Sequence, residues 1–229
     1  MPHSLDHDAL VARIAERRGG ARHIFPTPIA ARTAHIIVDL QNGFMEEGSP
    51  VEVPEARTIV DNVNMISRAV RAAGGTNIFL RYTTAEKETA WPIFMDRMGA
   101  AAKPHQEAFT PGHHYWNLWP SLATDSTDVM VDKRRFSGFT PGTCALHETL
   151  KARQIDTLII TGTLTNCCCE STARDAMQHN YKVLMATDAN AALTDEEHEA
   201  ALYSIGWLFA DLYTTAELVA LFNDRQAAD

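Results

Sequence analysis

TLIITGTLTNCCCESTARD, residues 157–175, reads as an apolar strand that runs directly into a helix. The strand is expected over Thr157–Thr161, Gly162 interrupts it, and a helix is expected from Cys168 to His179. Cys167, Cys168 and Cys169 are thereby delivered to a helix start. Unpaired backbone N–H groups and the positive end of a helix dipole at such a place stabilise a thiolate, and they also hold a developing oxyanion. This placement points to nucleophilic catalysis by a cysteine.

On either side of this stretch, short apolar runs alternate with helical periodicity, without an internal repeat or low-complexity linker. Further strands are expected at His35–Leu40, Thr76–Arg81, Asp128–Val131, Lys182–Thr187 and Ala210–Thr214. Helices are expected at Ala56–Ala73, Thr143–Arg153, Asp195–Leu208 and Thr215–Phe222, with Gly74-Gly75 closing the first. The pattern predicts an α/β fold, a doubly wound, mainly parallel six-stranded sheet with helices on both faces in a Rossmann-like three-layer arrangement. Residues 1–33 form an N-terminal helical extension, with a helix near Leu5–Arg18 read as an appendage, and 34–229 form the main domain. Residues 82–126 carry Pro92, Pro104, Pro111 and Pro120 among aromatics, which suits an ordered excursion over a pocket.

The 229 residues suffice for one domain with a substantial core. A formal charge of −9 with dispersed Lys and Arg argues against nucleic acid or an anionic membrane as partner, and the expected partner is a small-molecule substrate. The N-terminus lacks the apolar core of a signal peptide and no stretch is long enough to span a bilayer, so a cytoplasmic location is expected. Cys144 and the three adjacent cysteines do not resemble a disulfide framework and are expected to be free.

Ligands of such sheets bind outside the carboxyl ends of the strands. The first strand ends in VDLQNGF and brings Asp39 and Gln41 there, the third ends in VDKRRFSGF and brings Lys133, and the fourth leads to the cysteines. A carboxylate beside a thiol takes its proton, and an ammonium group tunes both or orients a carbonyl. Each of these residues alone is more often structural; their joint arrival at strand ends favours a catalytic set.

Asp39 in DLQNGF, Lys133 in DKRRFSGF and the block TGTLTNCCCESTARDA resemble the three signature blocks of the isochorismatase-like cysteine hydrolases, over most of the chain. The resemblance implies that Cys168 is the nucleophile, a choice that physical reasoning alone leaves open among the three cysteines. It also implies a cis Thr163–Leu164 bond, which would aim the Leu164 and Cys168 amides as an oxyanion hole. Cys169 shares a helical stripe with Ala173 and Ala176 and suits core packing. The ureidoacrylate amidohydrolase branch is similar in its Lys-x-Arg-aromatic-Ser-Gly-Phe block, here Lys133, Arg135, Phe136, Ser137, Gly138 and Phe139.

The implied activity is cysteine-dependent cleavage of a C–N bond through a thioester, releasing ammonia or a small amine. Carbamoyl, ureido and other small amides stay open as substrates. Gln41, Phe44, Tyr82, Trp91 and Phe136 are candidate substrate contacts. No metal or other cofactor is implied, because LRYTTAEKE, residues 80–88, lacks the Asp-x-His motif of the nicotinamidases, and consecutive cysteines point in divergent directions. The alternatives are an isochorismatase-type vinyl ether hydrolase, a thiol redox sensor using Cys167 and Cys168, and a non-catalytic scaffold.

His105, His113 and His114 lie in the aromatic-rich excursion and read as solvated or hydrogen-bonded side chains rather than ligands. Trp91, Tyr115, Trp116 and Trp119 read as loop anchors. Arg174 and Asp175 are expected to cap or bridge neighbouring elements. The apolar runs LYSIGWLF and ELVALF exceed what one sheet face needs, and together with the resemblance they suggest a homodimer or homotetramer.

Overall fold

The computed structural model describes residues 2–84 and 90–223. Six strands, β1 (Thr33–Val38), β2 (Thr76–Tyr82), β3 (Val129–Lys133), β4 (Thr157–Thr163), β5 (Lys182–Ala191) and β6 (Asp211–Tyr213), form one sheet. Their order is β3-β2-β1-β4-β5-β6 and every pair is parallel, the doubly wound arrangement that the sequence predicts.

Side chains alternate between two apolar layers with the two-residue period of a strand. Ile36, Val38, Ile78, Leu80, Leu158 and Ile160 enter one core, while Ile37, Phe79 and Ile159 enter the other. The nine α-helices of the described residues are α1 (His7–Arg17), α2 (Asn42–Met45), α3 (Val60–Ala72), α4 (Pro92–Met98), α5 (Ala102–Ala108), α6 (Leu146–Ala152), α7 (Glu170–Gln178), α8 (Asp195–Leu208) and α9 (Thr215–Asn223). Helices α1, α6, α7 and α8 cover the first core, and α3 and α9 cover the second. The start of α8 is fixed by the Thr194 side chain, which accepts from the Glu197 amide, and by three acidic residues in its first turn.

Helix α1 is not a loose appendage. Its Leu10, Val11 and Ile14 are buried in the first core, where the Ile14 side-chain end packs against Gly206 of α8, 2.6 Å from where a Cβ would stand. Arg18 then locks the junction with an ion pair to buried Asp211 at 2.7 Å and a bond to the Ala210 carbonyl at 2.8 Å. Much of the apolar surplus of the C-terminal half is likewise absorbed internally, since Leu202, Ile205, Leu218 and Phe222 are buried.

Several boundaries differ from the sequence reading, three of them around the strands and helix that lead to and flank the cysteines. Strand β4 runs through Gly162 to Thr163 instead of breaking there. Gly162 has φ +118°, and a Cβ on it would stand 2.1 Å from the Val38 carbonyl oxygen, so the glycine permits close strand approach rather than ending the strand. Strand β5 continues past Thr187 because an irregularity after Ile160 lets pairing resume at Gly162↔Asn190, with the Asn190 side-chain amide donating to the Ile160 and Ala186 carbonyls. The helix expected from Cys168 begins at Glu170 and is preceded by a π-helical turn over Thr165–Cys169.

The excursion between β2 and β3 folds into α4 and α5, and it is tied down from several sides. Trp116 donates its indole N–H to the Thr83 hydroxyl at 2.9 Å, the Arg81 guanidinium lies 3.9 Å over the same ring, and the Trp119 amide bonds the Leu40 carbonyl. Arg174 bridges back to Glu170 one turn earlier and to Ser204 of α8.

Candidate active site

The strand order reverses between β1 and β4, and a crevice opens there at the carboxyl edge of the sheet. Asp39 follows β1 with φ +55°, a left-handed conformation that aspartate tolerates better than most residues and that is sustained only by surrounding structure. Its amide bonds the Leu80 carbonyl at 3.0 Å and its carbonyl accepts from Gln41. Lys133 is the last residue of β3, in register with Tyr82 of β2. From β4, the chain passes a cis Thr163–Leu164 peptide bond into the π-turn that carries Cys168.

These three side chains meet. The Lys133 ammonium lies 2.7 Å from the Asp39 carboxylate and 3.4 Å from Cys168 Sγ, and it also donates to the Arg135 carbonyl at 3.2 Å. Asp39 and Lys133 have no solvent exposure, and Cys168 is buried except for its face on a cavity. Burial pushes the Asp39 carboxyl above its ordinary range against the pull of Lys133. Burial alone would depress Lys133, but Asp39 and Cys168 more than reverse this and hold it above the usual ammonium range.

Cys168 differs from the thiolate that its position in sequence suggests. A hydrogen bond with Cys167, burial and the Asp39 carboxylate push its thiol well above the usual range, while Lys133 pulls it back. The same hydrogen bond lowers Cys167. The raised Cys168 thiol thus sits beside a carboxylate and an ammonium group, because the π-turn places the sulfur inside the domain rather than at an open helix end.

Above Cys168 lies a cavity of about 360 Å³ with an overwhelmingly apolar wall. Phe44, Tyr82 and Phe136, three of the candidate substrate contacts, line it together with Leu164 and both Cys167 and Cys168. Gln41 and Trp91 do not. The buried Gln41 amide donates to the Tyr82 and Trp116 carbonyls and accepts from the Tyr82 amide at 2.7 Å, so it fastens the excursion to the sheet. Trp91 stands behind the wall, with its ring 4.5 Å from Phe94 and 4.8 Å from Phe136.

Several contributors are not evident from the sequence. Phe94 and Met98 of α4 and His105 of α5 complete the wall, and Val51, Val53 and Leu193 close its sides. The signal for α4 was present in the apolar residues at Phe94 and Met98, four apart and following Pro92, which suits a first helical position. His198 of α8 lies beneath the π-turn: its Nδ1 accepts from the Thr165 hydroxyl at 2.8 Å and its Nε2 donates to the Thr187 carbonyl at 2.9 Å. His113 and His114 behave as expected, the first accepting from the Tyr115 amide and the second paired with Glu46 on the surface, whereas His105 is buried and has no hydrogen-bond partner among the described residues. Cys144 is half-buried, its thiol pushed up to about 11 by burial, and Cys169 packs in the core beside Ala173 and Ala176.

Among the described residues no three His, Cys, Asp or Glu side chains are grouped to hold a metal ion, and no helix is long and apolar enough to cross a membrane. Residues 85–89, which include much of LRYTTAEKE, lie outside the described residues.

Comparison with known proteins agrees with this architecture. Ureidoacrylate amidohydrolase RutB of Acinetobacter baylyi is 27% identical over 96% of this chain and 97% of its own. N-carbamoylsarcosine amidase of an Arthrobacter species is 29% identical over 82% of this chain and 70% of its own. The crystal structure of a cysteine hydrolase from Pseudomonas syringae pv. phaseolicola 1448A superposes with a TM-score of 0.78 at 30% identity, covering 85% of this chain and 94% of that one. The Isochorismatase domain family matches residues 33–217, which is most of the chain, and the protein belongs to that family.

Proposed function

We propose that this protein is a cysteine amidohydrolase that cleaves a C–N bond of a small amide, ureido or carbamoyl substrate through a thioester. The observation that carries this reading is the contact of Asp39, Lys133 and Cys168, with Cys168 lining an apolar cavity. A raised carboxyl is matched to moving a proton at neutral pH, and a protonated thiol needs such a partner before it attacks.

Asp39 accepts the Cys168 proton while Lys133 stabilises the emerging thiolate. Sγ attacks the carbonyl carbon, and the Leu164 and Cys168 backbone N–H groups receive the negative charge on the oxygen. Asp39 returns the proton to the leaving nitrogen, the C–N bond breaks, and ammonia or a small amine departs from a thioester on Cys168. Water then gives a proton to Asp39 and attacks the thioester carbonyl. Collapse expels the thiolate, which recovers the proton as the acid leaves.

Two named relatives, a ureidoacrylate amidohydrolase and an N-carbamoylsarcosine amidase, support the C–N bond as the target. The reading is tested by ammonia release from a panel of ureides, carbamoyl amines and primary amides. Wild-type protein is expected to release ammonia from at least one class and to accumulate an acyl adduct on Cys168 in quenched-flow mass spectrometry. Undiminished turnover by Cys168→Ala excludes the scheme.

A further inference from the structure

The cavity wall contains one group that fits neither a core nor a surface. His105 is 4% exposed, and neither ring nitrogen has a hydrogen-bond partner among the described residues. Aromatic rings cage it, with Phe109 at 5.1 Å, Tyr82 at 5.2 Å and Phe94 at 5.5 Å. Leaving a buried donor or acceptor unmade costs the full desolvation of that group. A phenylalanine would fill such a cage without that cost, so packing alone does not explain an imidazole there.

The ring lines the cavity that ends at Cys168. Burial lowers its pKa to about 4, which keeps it neutral near pH 7 with one nitrogen donating and the other accepting. The surrounding wall of Phe44, Val51, Phe94, Met98, Phe136 and Leu193 offers no charge. Glu52, also at the wall, is already held by the Gly48 amide and by Arg57, each at 2.8 Å. Among the described residues of this wall, a carboxylate entering the space would lose its water and find a neutral imidazole in exchange.

We propose that His105 binds the end of the substrate remote from the scissile bond, and that this end is an uncharged hydrogen-bonding group, such as a carbonyl or amide, carried on an apolar body. The inference rests on the hydrolase reading above and narrows its substrate class. Uncharged amides and ureides are preferred over acidic ones.

Chloroacetamides test this without requiring the natural substrate. N-butyl, N-(3-oxobutyl) and N-(2-carboxyethyl) chloroacetamide are offered to the full-length protein, and alkylation of Cys168 is timed by peptide mass spectrometry. In the wild type the keto probe is expected to label about ten-fold faster than the butyl probe, the gain of one buried hydrogen bond, and the carboxylate probe slowest. His105→Phe is expected to fold, to label with the butyl probe at least as fast, and to lose the preference for the ketone.

An unchanged keto-to-butyl ratio in His105→Phe, or fastest labelling by the carboxylate probe, overturns the inference and leaves the hydrolase reading standing. Failure of every probe to label Cys168 in the wild type overturns both. Should His105→Phe not fold, the imidazole ¹⁵N resonances of the wild type decide: the keto adduct is expected to shift one His105 nitrogen that the butyl adduct leaves in place, and identical spectra refute the contact.

Discussion

The Asp39 carboxylate and the Lys133 ammonium meet at 2.7 Å with neither side chain reaching solvent, and Cys168 Sγ lies 3.4 Å from the same ammonium. One cation thus serves two groups that compete for a single proton. Desolvating an ion pair is costly, and removal of one partner leaves the other charge stranded, so this cluster is retained at the expense of stability and titrates as a unit. Its consequence is that thiol reactivity and turnover need not change in the same direction.

Asp39→Asn separates the two. The Cys167 hydrogen bond and burial raise the Cys168 thiol most, Lys133 lowers it and the Asp39 carboxylate raises it further, so neutralising residue 39 removes one raising influence and lets the ammonium pull the thiol down from its present position. Asparagine also accepts the left-handed backbone at this position. Iodoacetamide is expected to alkylate Cys168 faster in this variant at pH 7, while steady-state amide turnover falls by roughly 10³-fold or more for want of a proton carrier. Slower alkylation together with lost turnover would show that residue 39 acts on the fold rather than on the sulfur.

The pH dependence of kcat/KM follows from the same cluster. In the proposed scheme Asp39 must be ionised to take the proton, and its carboxyl lies above the ordinary range because of burial, so activity is expected to rise with pH through an apparent pKa higher than that of a free aspartate. Lys133 is held above the usual ammonium range and Cys168 above the usual thiol range, so no matching fall is expected at mildly alkaline pH. Lys133→Met is expected to shift the acid limb further upward, because the remaining carboxylate loses its counter-charge. An acid limb near pH 4 in both proteins would contradict the arrangement.

The sheet was legible in the sequence because its strands are short apolar runs ending in chemistry-bearing residues, and the order of its helices follows from the alternation. What was not legible came from contacts between distant elements. The π-turn at Thr165–Cys169 is hydrogen-bonded through Thr165 to His198, 33 residues away, and nothing local to the cysteines announces it. Gln41 sits beside Asp39 in sequence and looked like a substrate contact, yet its amide is consumed by Tyr82 and Trp116 backbone groups that only the folded excursion supplies. His105 looked like a loop histidine because the helical character of α5 is interrupted in sequence by Pro104.

Gly162→Ala tests the close approach of β1 and β4. The added methyl would stand 2.1 Å from the Val38 carbonyl oxygen at a φ of +118°, so backbone strain and overlap act together. A loss of about 3 kcal/mol or more is expected from the combined costs. Urea denaturation of wild type and variant measures it directly, and the displacement of β4 should also disturb Cys168, which follows six residues later in the chain. A variant with unchanged midpoint would mean that the strands separate without penalty.

Acid sensitivity is built into the two cores by histidines that must stay neutral. His35 of β1 is fully buried, with Nε2 2.8 Å from the Thr161 hydroxyl and Nδ1 3.2 Å from that of Ser67, and burial lowers its pKa to about 3. Burial lowers His105 and His198 to about 4. In each case the unfolded side chain, with a pKa of about 6.5, binds a proton before the folded one does. Their contribution to stability is therefore complete above pH 6.5 and is lost as pH falls toward the folded values, at about 1.4 kcal/mol per pH unit for each group. Asp39 acts in the opposite sense, since its raised carboxyl takes up a proton more readily in the folded state. The histidines outnumber it, so urea-unfolding free energy is expected to fall by roughly 3 kcal/mol between pH 6 and pH 5. Imidazole resonances of His35, His105 and His198 should remain fixed over the same interval. A stability that is flat from pH 7 to 5, or a buried imidazole that titrates near 6.5, would show that water reaches these rings in the native state.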